Sequence, residues 1–364
     1  MQPLKATLEL GAKENEVAAA APSEALPQWL RQVRAGADEC LVRFFEDKRN
    51  ETREISSPTL ELVDEIEALT MRGGKRLRPA LAAAAYRCVR PGHGMERLAE
   101  LCASLELLQS YLLIHDDWMD GDEVRRGGAA VHASLERIHD DRHLGAALAV
   151  LAGDLASAYA WELFMRAPYP VQSWSRAASL FLRTQKEVYC GQHLDLIGDA
   201  DVARMHGLKT TSYTVRGPML LGALLGEPSR RQTEALHGWA TPIGEAFQIR
   251  DDLLGALGST DATGKPGLDL QHGKLSSVLA ELRQSTDRGV REPVEYIVGR
   301  SEVSDRELGR ARDLLHDLGI VDRLEQRIKA LRKQADAVLD DAPFSPQGIG
   351  MLSRLADKLT VRQS

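Results

Sequence analysis

Aromatic residues make up only 5% of this 364-residue chain. That scarcity argues against a strand-rich fold, because strands draw on aromatic and β-branched side chains, whereas Ala and Leu, abundant here, lead the helix scale. A basic surplus is missing too. The formal net charge is -7, the wrong sign for a general nucleic-acid binder, so any anion must be met by a local cluster of Lys and Arg. Cysteine is sparse: Cys40, Cys88, Cys102 and Cys190 form no C-x-x-C pair and read as thiols of a reducing cytoplasm. The opening stretch, MQPLKATLELGAKENEVAAAAP, has no basic start followed by an apolar run, so no secretory signal is expected. No apolar run suits a membrane span either, since the longest, 144–164, is broken by Asp154 and Glu162.

What the chain does have is a core's worth of apolar residues, 43%, recurring every three or four positions. Leu98, Leu101, Leu105, Leu108 and Leu112 form one stripe, Leu144, Leu148, Leu151, Leu155 and Tyr159 a second, and Trp239, Ile243 and Phe247 a third. Gly- and Pro-bearing breaks at 91–94, 167–170 and 226–229 separate such segments. This pattern predicts an all-α protein with short connections. Residues 1–22 read as a flexible tail and 23–364 as one helical domain. Two stretches do not fit ordinary connections: RGGKRLRP at 72–79 and the long Gly-rich segment at 255–274, of a length usually reserved for functional loops.

The tetrapeptide IHDD occurs twice. In the first copy Asp116, Asp117 and Asp120 follow an apolar stripe; Asp116 and Asp120 share a helix face and Asp117 lies 100° round from Asp116. Clustered carboxylates repel, and a hard divalent cation removes that penalty: Mg²⁺ takes one or two carboxylates and completes its shell with phosphate oxygens. Arg125 and Arg126 follow, suited to diphosphate oxygens. Read alone, the motif is either such a site or a solvated helix end. The second copy, Asp140 and Asp141, lacks a third acid, follows a polar stretch and precedes a new apolar helix; it reads as an N-cap. FQIRDDLLG at 247–255 supplies another acid pair, Asp251 and Asp252, open to the same two readings. Lys75, Arg76 and Arg78 in the 72–79 turn could hold an anion, although a basic cluster is more often solvated surface. Lys209, Thr210, Lys265 and Lys274 are weaker candidates singly.

The order GGKRLRP, DDWMD followed by RR, KT, FQIRDDLLG and a Gly-rich loop with two lysines resembles the all-trans polyprenyl diphosphate synthases, over about residues 60 to 280. The resemblance implies an isoprenoid-synthase-type helical bundle around a deep cavity, usually a homodimer, with no nucleic-acid partner and no membrane span. It implies three Mg²⁺ ions held by Asp116 and Asp120 on one side and Asp251 on the other. Isopentenyl diphosphate would be bound by Lys75, Arg78, Gln109 and Arg126, and the allylic diphosphate by Arg125, Lys209, Thr210, Gln248, Lys265 and Lys274. Asp116, Asp251, Lys209 and Thr210 would carry the catalysis. Two departures stand out: Gly255 replaces the third acid of the second motif, where Asp269 could act through a metal-bound water, and Gln109 stands where many bacterial relatives carry His.

The chemistry so implied is ionisation of an allylic C–O bond, stabilisation of the leaving diphosphate by cations, and attack of the isopentenyl double bond on the carbocation in a dry cavity. Product length would be set by Tyr111 and Leu112, five and four residues before the first acid. One aromatic there, with no insertion in DDWMD, resembles a geranylgeranyl-type synthase, farnesyl being the next reading. A terpene cyclase of the same fold and a non-catalytic regulatory subunit are the rivals. The first needs no second diphosphate pocket, which GGKRLRP would be; the second can lose its acids, both pairs of which stand here.

Overall fold

A helix with apolar side chains all round must be buried, and one with a single apolar stripe lies on a core. Both kinds build this protein. The computed structural model describes residues 26–92, 96–198, 201–257, 270, 276–284, 288–300 and 303–361; the proposed tail at 1–22 and the lysines at 265 and 274 lie outside them. The elements run α1 (Leu26–Ile55), α2 (Leu60–Met71), α3 (Leu77–Val89), α4 (Ala99–Asp120), a two-stranded antiparallel hairpin of β1 (Val124–Arg125) and β2 (Gly128–Ala129), α5 (Val131–His139), α6 (Arg142–Arg166), α7 (Val171–Ile197), α8 (Val202–His206), a π-helix (Gly207–Arg216), α9 (Gly217–Leu225) and α10 (Arg230–Leu257). After these come α11 (Ser277–Gln284), α12 (Arg288–Glu295), α13 (Asp305–Asp317), α14 (Ile320–Asp340) and α15 (Pro346–Thr360). The expected all-α architecture is what the chain adopts.

Helix α4 is the central element: its residues from Leu101 to Tyr111 are all buried, so the Leu stripe is only part of its apolar surface. Helix α6 lies along it, close enough for Ser104 Oγ to donate to the Ala160 carbonyl at 2.7 Å. Small residues make that approach possible, Ala149, Ala152, Gly153, Ala156 and Ala160 forming the buried face of α6. By length and composition α6 is apolar enough to cross a membrane, which corrects the reading that no segment qualifies; its small-residue face is nevertheless packed in the core. Helix α10 spans two clusters of buried residues. Leu236, Trp239, Ile243 and Phe247 join the larger one, while Ile249 and Leu253 join α11, α13 and α14 in the smaller. The acid pair after Phe247 thus falls just past the point where the two clusters meet, between Ile249 and Leu253 of the smaller one.

Ala80 and Ala82–Ala85 of α3 are buried, and the helix packs against α9. The two backbones come so close that a Cβ at Gly222 would lie 2.0 Å from the Ala82 carbonyl oxygen. Gly222→Ala is therefore expected to destabilise the protein by about 1–3 kcal/mol through overpacking, read as a lowered urea midpoint with little change in m-value.

Candidate functional site

Helix α4 stops at Asp120 because Gly121 adopts the left-handed conformation, φ 69°. Asp116 and Asp120 stand one turn apart and partly open to solvent, whereas Asp117 is fully buried. Arg125 clamps Asp117 from the hairpin: Nε donates to its Oδ1 at 2.6 Å and Nη2 donates to Asp122 Oδ2 at 3.1 Å. Burial pushes the Asp117 carboxyl up to about 6 in spite of Arg125. The clamp commits Arg125, expected on the allylic diphosphate, to two carboxylates in this structure. The hairpin turn itself, Arg126 at φ 51° and Gly127 at φ 74°, needs two left-handed residues, as tight two-residue loops do.

That turn aims Arg126 at the 72–79 stretch. Its guanidinium donates to the Leu69 carbonyl at 3.2 Å and lies 3.4 Å from where a Cβ on Gly74 would sit. Gly73, Gly74 and Arg76 all take positive φ, which curls the turn around it. Burial pulls the Arg126 pKa down, with Arg76, Arg78 and Arg125 acting the same way and Glu106 opposing. Among the described residues Arg126 forms no ion pair, so this half-buried cation sits among other guanidiniums without a carboxylate of its own.

Arg76 has a different role from its neighbours. It is buried, and it donates to Glu106 Oε2 at 2.5 Å, Asp38 Oδ1 at 2.9 Å and the Thr70 carbonyl at 3.0 Å. Arg78 instead stacks over the Tyr213 ring at 4.2 Å and donates to Thr214 Oγ1 at 2.8 Å. Tyr213, unremarked in the sequence, also donates its hydroxyl to Gln109 Oε1 at 3.0 Å. It thereby joins Arg78 to Gln109, two residues expected to share one ligand, and no local pattern signals this. Lys75 is exposed on the same turn.

The π-helix carries Lys209, Thr210 and Tyr213. Wide helical turns of this kind are rare and frequent at functional sites. Glycines on both flanking helices let it in: a Cβ at Gly191 of α7 would lie 2.3 Å from the Lys209 backbone nitrogen, and one at Gly244 of α10 would lie 2.5 Å from Thr211 Cγ2. So seated, Lys209 Nζ donates to Asp195 Oδ2 at 2.6 Å and to Asp116 Oδ1 at 3.2 Å. Burial opposes the ammonium, but Asp116 and Asp195 outweigh it and hold the pKa above that of a free lysine. Asp195 is the acid that sequence reasoning missed; it stands alone at the end of α7 with no motif around it. Thr210 is half-buried on the same turn.

At the end of α10 the second acid pair divides as the first does. Asp251 is exposed; Asp252 is buried and accepts from Gln248 Nε2 and from the Ser277 backbone N–H, both at 2.7 Å, with His206 Nδ1 3.8 Å away. Burial pushes its pKa up, against His206, Ser277 and Gln248. Gln248, expected on substrate, here serves Asp252. Because His206 and Lys209 are three residues apart, both acid tips border the same segment. Asp116, Asp120 and Asp251 offer only oxygen donors, which suits a hard cation such as Mg²⁺. Among the described residues no three His, Cys, Asp or Glu side chains converge to hold a metal by themselves, so such ions would fill their shells with substrate oxygens and water. Below Asp116 and Lys209 opens a mainly apolar cavity of about 330 Å³ between α4, α7 and the π-helix, lined by Tyr111, Leu112, Leu113, Val188, Tyr189 and Leu196 among others.

The sequence profile of the family described as polyprenyl synthetase matches residues 60–315. The chain belongs to that family. Like its relatives, it is a transferase of prenyl groups. It is 30% identical over 256 residues to a short chain isoprenyl diphosphate synthase of Methanocaldococcus jannaschii, covering 68% of this chain and 74% of that one. It is 32% identical over 313 residues to a geranylfarnesyl diphosphate synthase of Natronomonas pharaonis, covering 80% and 86%. Its fold is similar, with a TM-score of 0.85 and 29% identity over 93% of this chain and 100% of the other, to the crystal structure of a geranylgeranyl pyrophosphate synthase from Corynebacterium glutamicum complexed with isoprenyl diphosphate and magnesium.

In this chain the second IHDD copy is structural. Asp140 ends α5 in the left-handed conformation, and Asp141 caps α6 by accepting from the Leu144 N–H at 3.0 Å. The catalytic consequence of the glycine seat is testable. Gly191→Ala drives a methyl into the Lys209 backbone, and misplacement of this order is expected to lower turnover about 10²-fold while circular dichroism shows unchanged helix content.

Proposed function

We propose that the protein condenses isopentenyl diphosphate with an allylic diphosphate, and that its product is geranylgeranyl diphosphate, farnesyl diphosphate being the next reading. The observation that carries this is the Lys209 ammonium held between Asp116 and Asp195 at the mouth of the apolar cavity. A cation above an apolar shaft suits a substrate with a charged head and a hydrocarbon tail. The separate cluster of the Arg78 and Arg126 guanidiniums with the neutral Gln109 amide supports a second diphosphate pocket, which a cyclase would not need.

Asp116, Asp120 and Asp251 would hold Mg²⁺, with three ions per site as the expected number. When bound, the metal supplies positive charge to the departing diphosphate. Lys209 adds its own charge to the same oxygens as the allylic C–O bond breaks. Thr210, its neighbour on the π-helix, helps orient the diphosphate. The apolar walls from Leu112, Leu113, Val188 and Leu196 keep water from the carbocation. Arg78 and Arg126 position isopentenyl diphosphate so that its double bond attacks that carbon, and the released diphosphate accepts the proton lost afterwards.

The partner we propose is a second copy of this chain. The outer side of α6 exposes Leu144, Leu151 and Met165, and α7 exposes Trp174 and Leu182. Apolar side chains repeated along one helix in this way call for cover.

Incubation with Mg²⁺, isopentenyl diphosphate and each of dimethylallyl, geranyl and farnesyl diphosphate is expected to yield geranylgeranyl diphosphate; turnover of allylic diphosphate without isopentenyl diphosphate would instead reveal a cyclase. Asp116→Ala and Asp251→Ala are each expected to lower the rate by about 10²–10³-fold, and chelation of the metal should abolish product until Mg²⁺ is restored. Light scattering of Leu151→Glu should report a smaller particle than the wild-type chain; an unchanged mass removes α6 from the interface.

A further inference from the structure

The cavity below Lys209 is lined by aromatic rings contributed by two helices. Tyr111 stands five residues before Asp116 on α4, and Tyr189 six residues before Asp195 on α7. With a rise of about 1.5 Å per residue, these are depths of roughly 7.5 Å and 9 Å below the two acids. Both acids touch the same ammonium, at 3.2 Å and 2.6 Å. The two tyrosines therefore hang from one level to nearly the same depth. Their rings meet edge to face, centroids 6.1 Å apart at 85°, and both line the cavity.

Tyr111 cannot swing aside. His115 packs against its ring, centroids 4.9 Å apart at 70°. The His115 imidazole is in turn seated on Gly153 of α6, where even a Cβ would lie 2.1 Å from Nε2. Tyr189 is the freer partner: it is 42% exposed, against 8% for Tyr111. A motif count along α4 sees one ring, whereas the folded chain presents two.

Resting on the prenyl-elongation reading above, we propose that Tyr189 is a product-length determinant that acts together with Tyr111, closing the cavity from the α7 side. A chain growing down the shaft then meets the pair, and removing either ring opens only half of the floor.

The test uses the full-length protein with Mg²⁺, isopentenyl diphosphate and each of dimethylallyl, geranyl and farnesyl diphosphate, the products being dephosphorylated and resolved by length. Tyr189→Ala is expected to move the main product up by at least one isoprene unit, Tyr189→Trp to shorten it, and Tyr189→Phe to keep the wild-type length. Tyr111→Ala with Tyr189→Ala should give longer products than either change alone. Because the ring is partly exposed, folded variants are expected, and circular dichroism checks this. Wild-type product length in both folded Tyr189→Ala and Tyr189→Trp overturns the proposal and leaves the elongation reading standing. Should only one of these variants fold, its product length decides alone. Absence of any isopentenyl-dependent elongation by the wild-type chain overturns both.

Discussion

Everything at the site depends on how closely the π-helix can sit between α7 and α10. A lysine ammonium in a half-buried position is costly unless carboxylates face it, and Lys209 reaches Asp116 and Asp195 together only because Gly191 admits its backbone and Gly244 admits Thr211. The wide turn then sends Tyr213 toward Arg78 and Gln109. One backbone irregularity thus supplies both the cation at the cavity mouth and the tie between the basic turn and α4.

The two acid pairs share a division of labour. In each, one aspartate is open to ligands and the next is buried and braces the scaffold. Asp117 holds Arg125 of the hairpin, and Asp252 receives Gln248 and the N-terminus of α11. A helix imposes this split, since adjacent residues differ by 100°. The buried members keep raised pKa values because desolvation exceeds the help of their partners. They anchor the elements that carry the open members rather than adding charge to the same point.

The basic residues divide in the same way. Arg76 neutralises Asp38 and Glu106 and pins the left-handed turn to α1 and α4, while Arg126 lies half-buried near other guanidiniums with its pKa lowered, chiefly by desolvation.

The sequence by itself determined the helical class, the helix-ending acid pairs and the capping role of the second IHDD copy, because these follow from local periodicity and from backbone groups within a few residues. It also carried the order of motifs that marks the family. Only the tertiary structure decided that Arg76 is internal, that Arg125 and Gln248 are engaged by Asp117 and Asp252, and that Asp195, Tyr213 and Tyr189 belong to the site. Each of these depends on which side chain a distant helix brings within a few ångströms, and helix-to-helix distance is set by the residues that permit close approach, glycine and alanine, whose effect leaves no local signature.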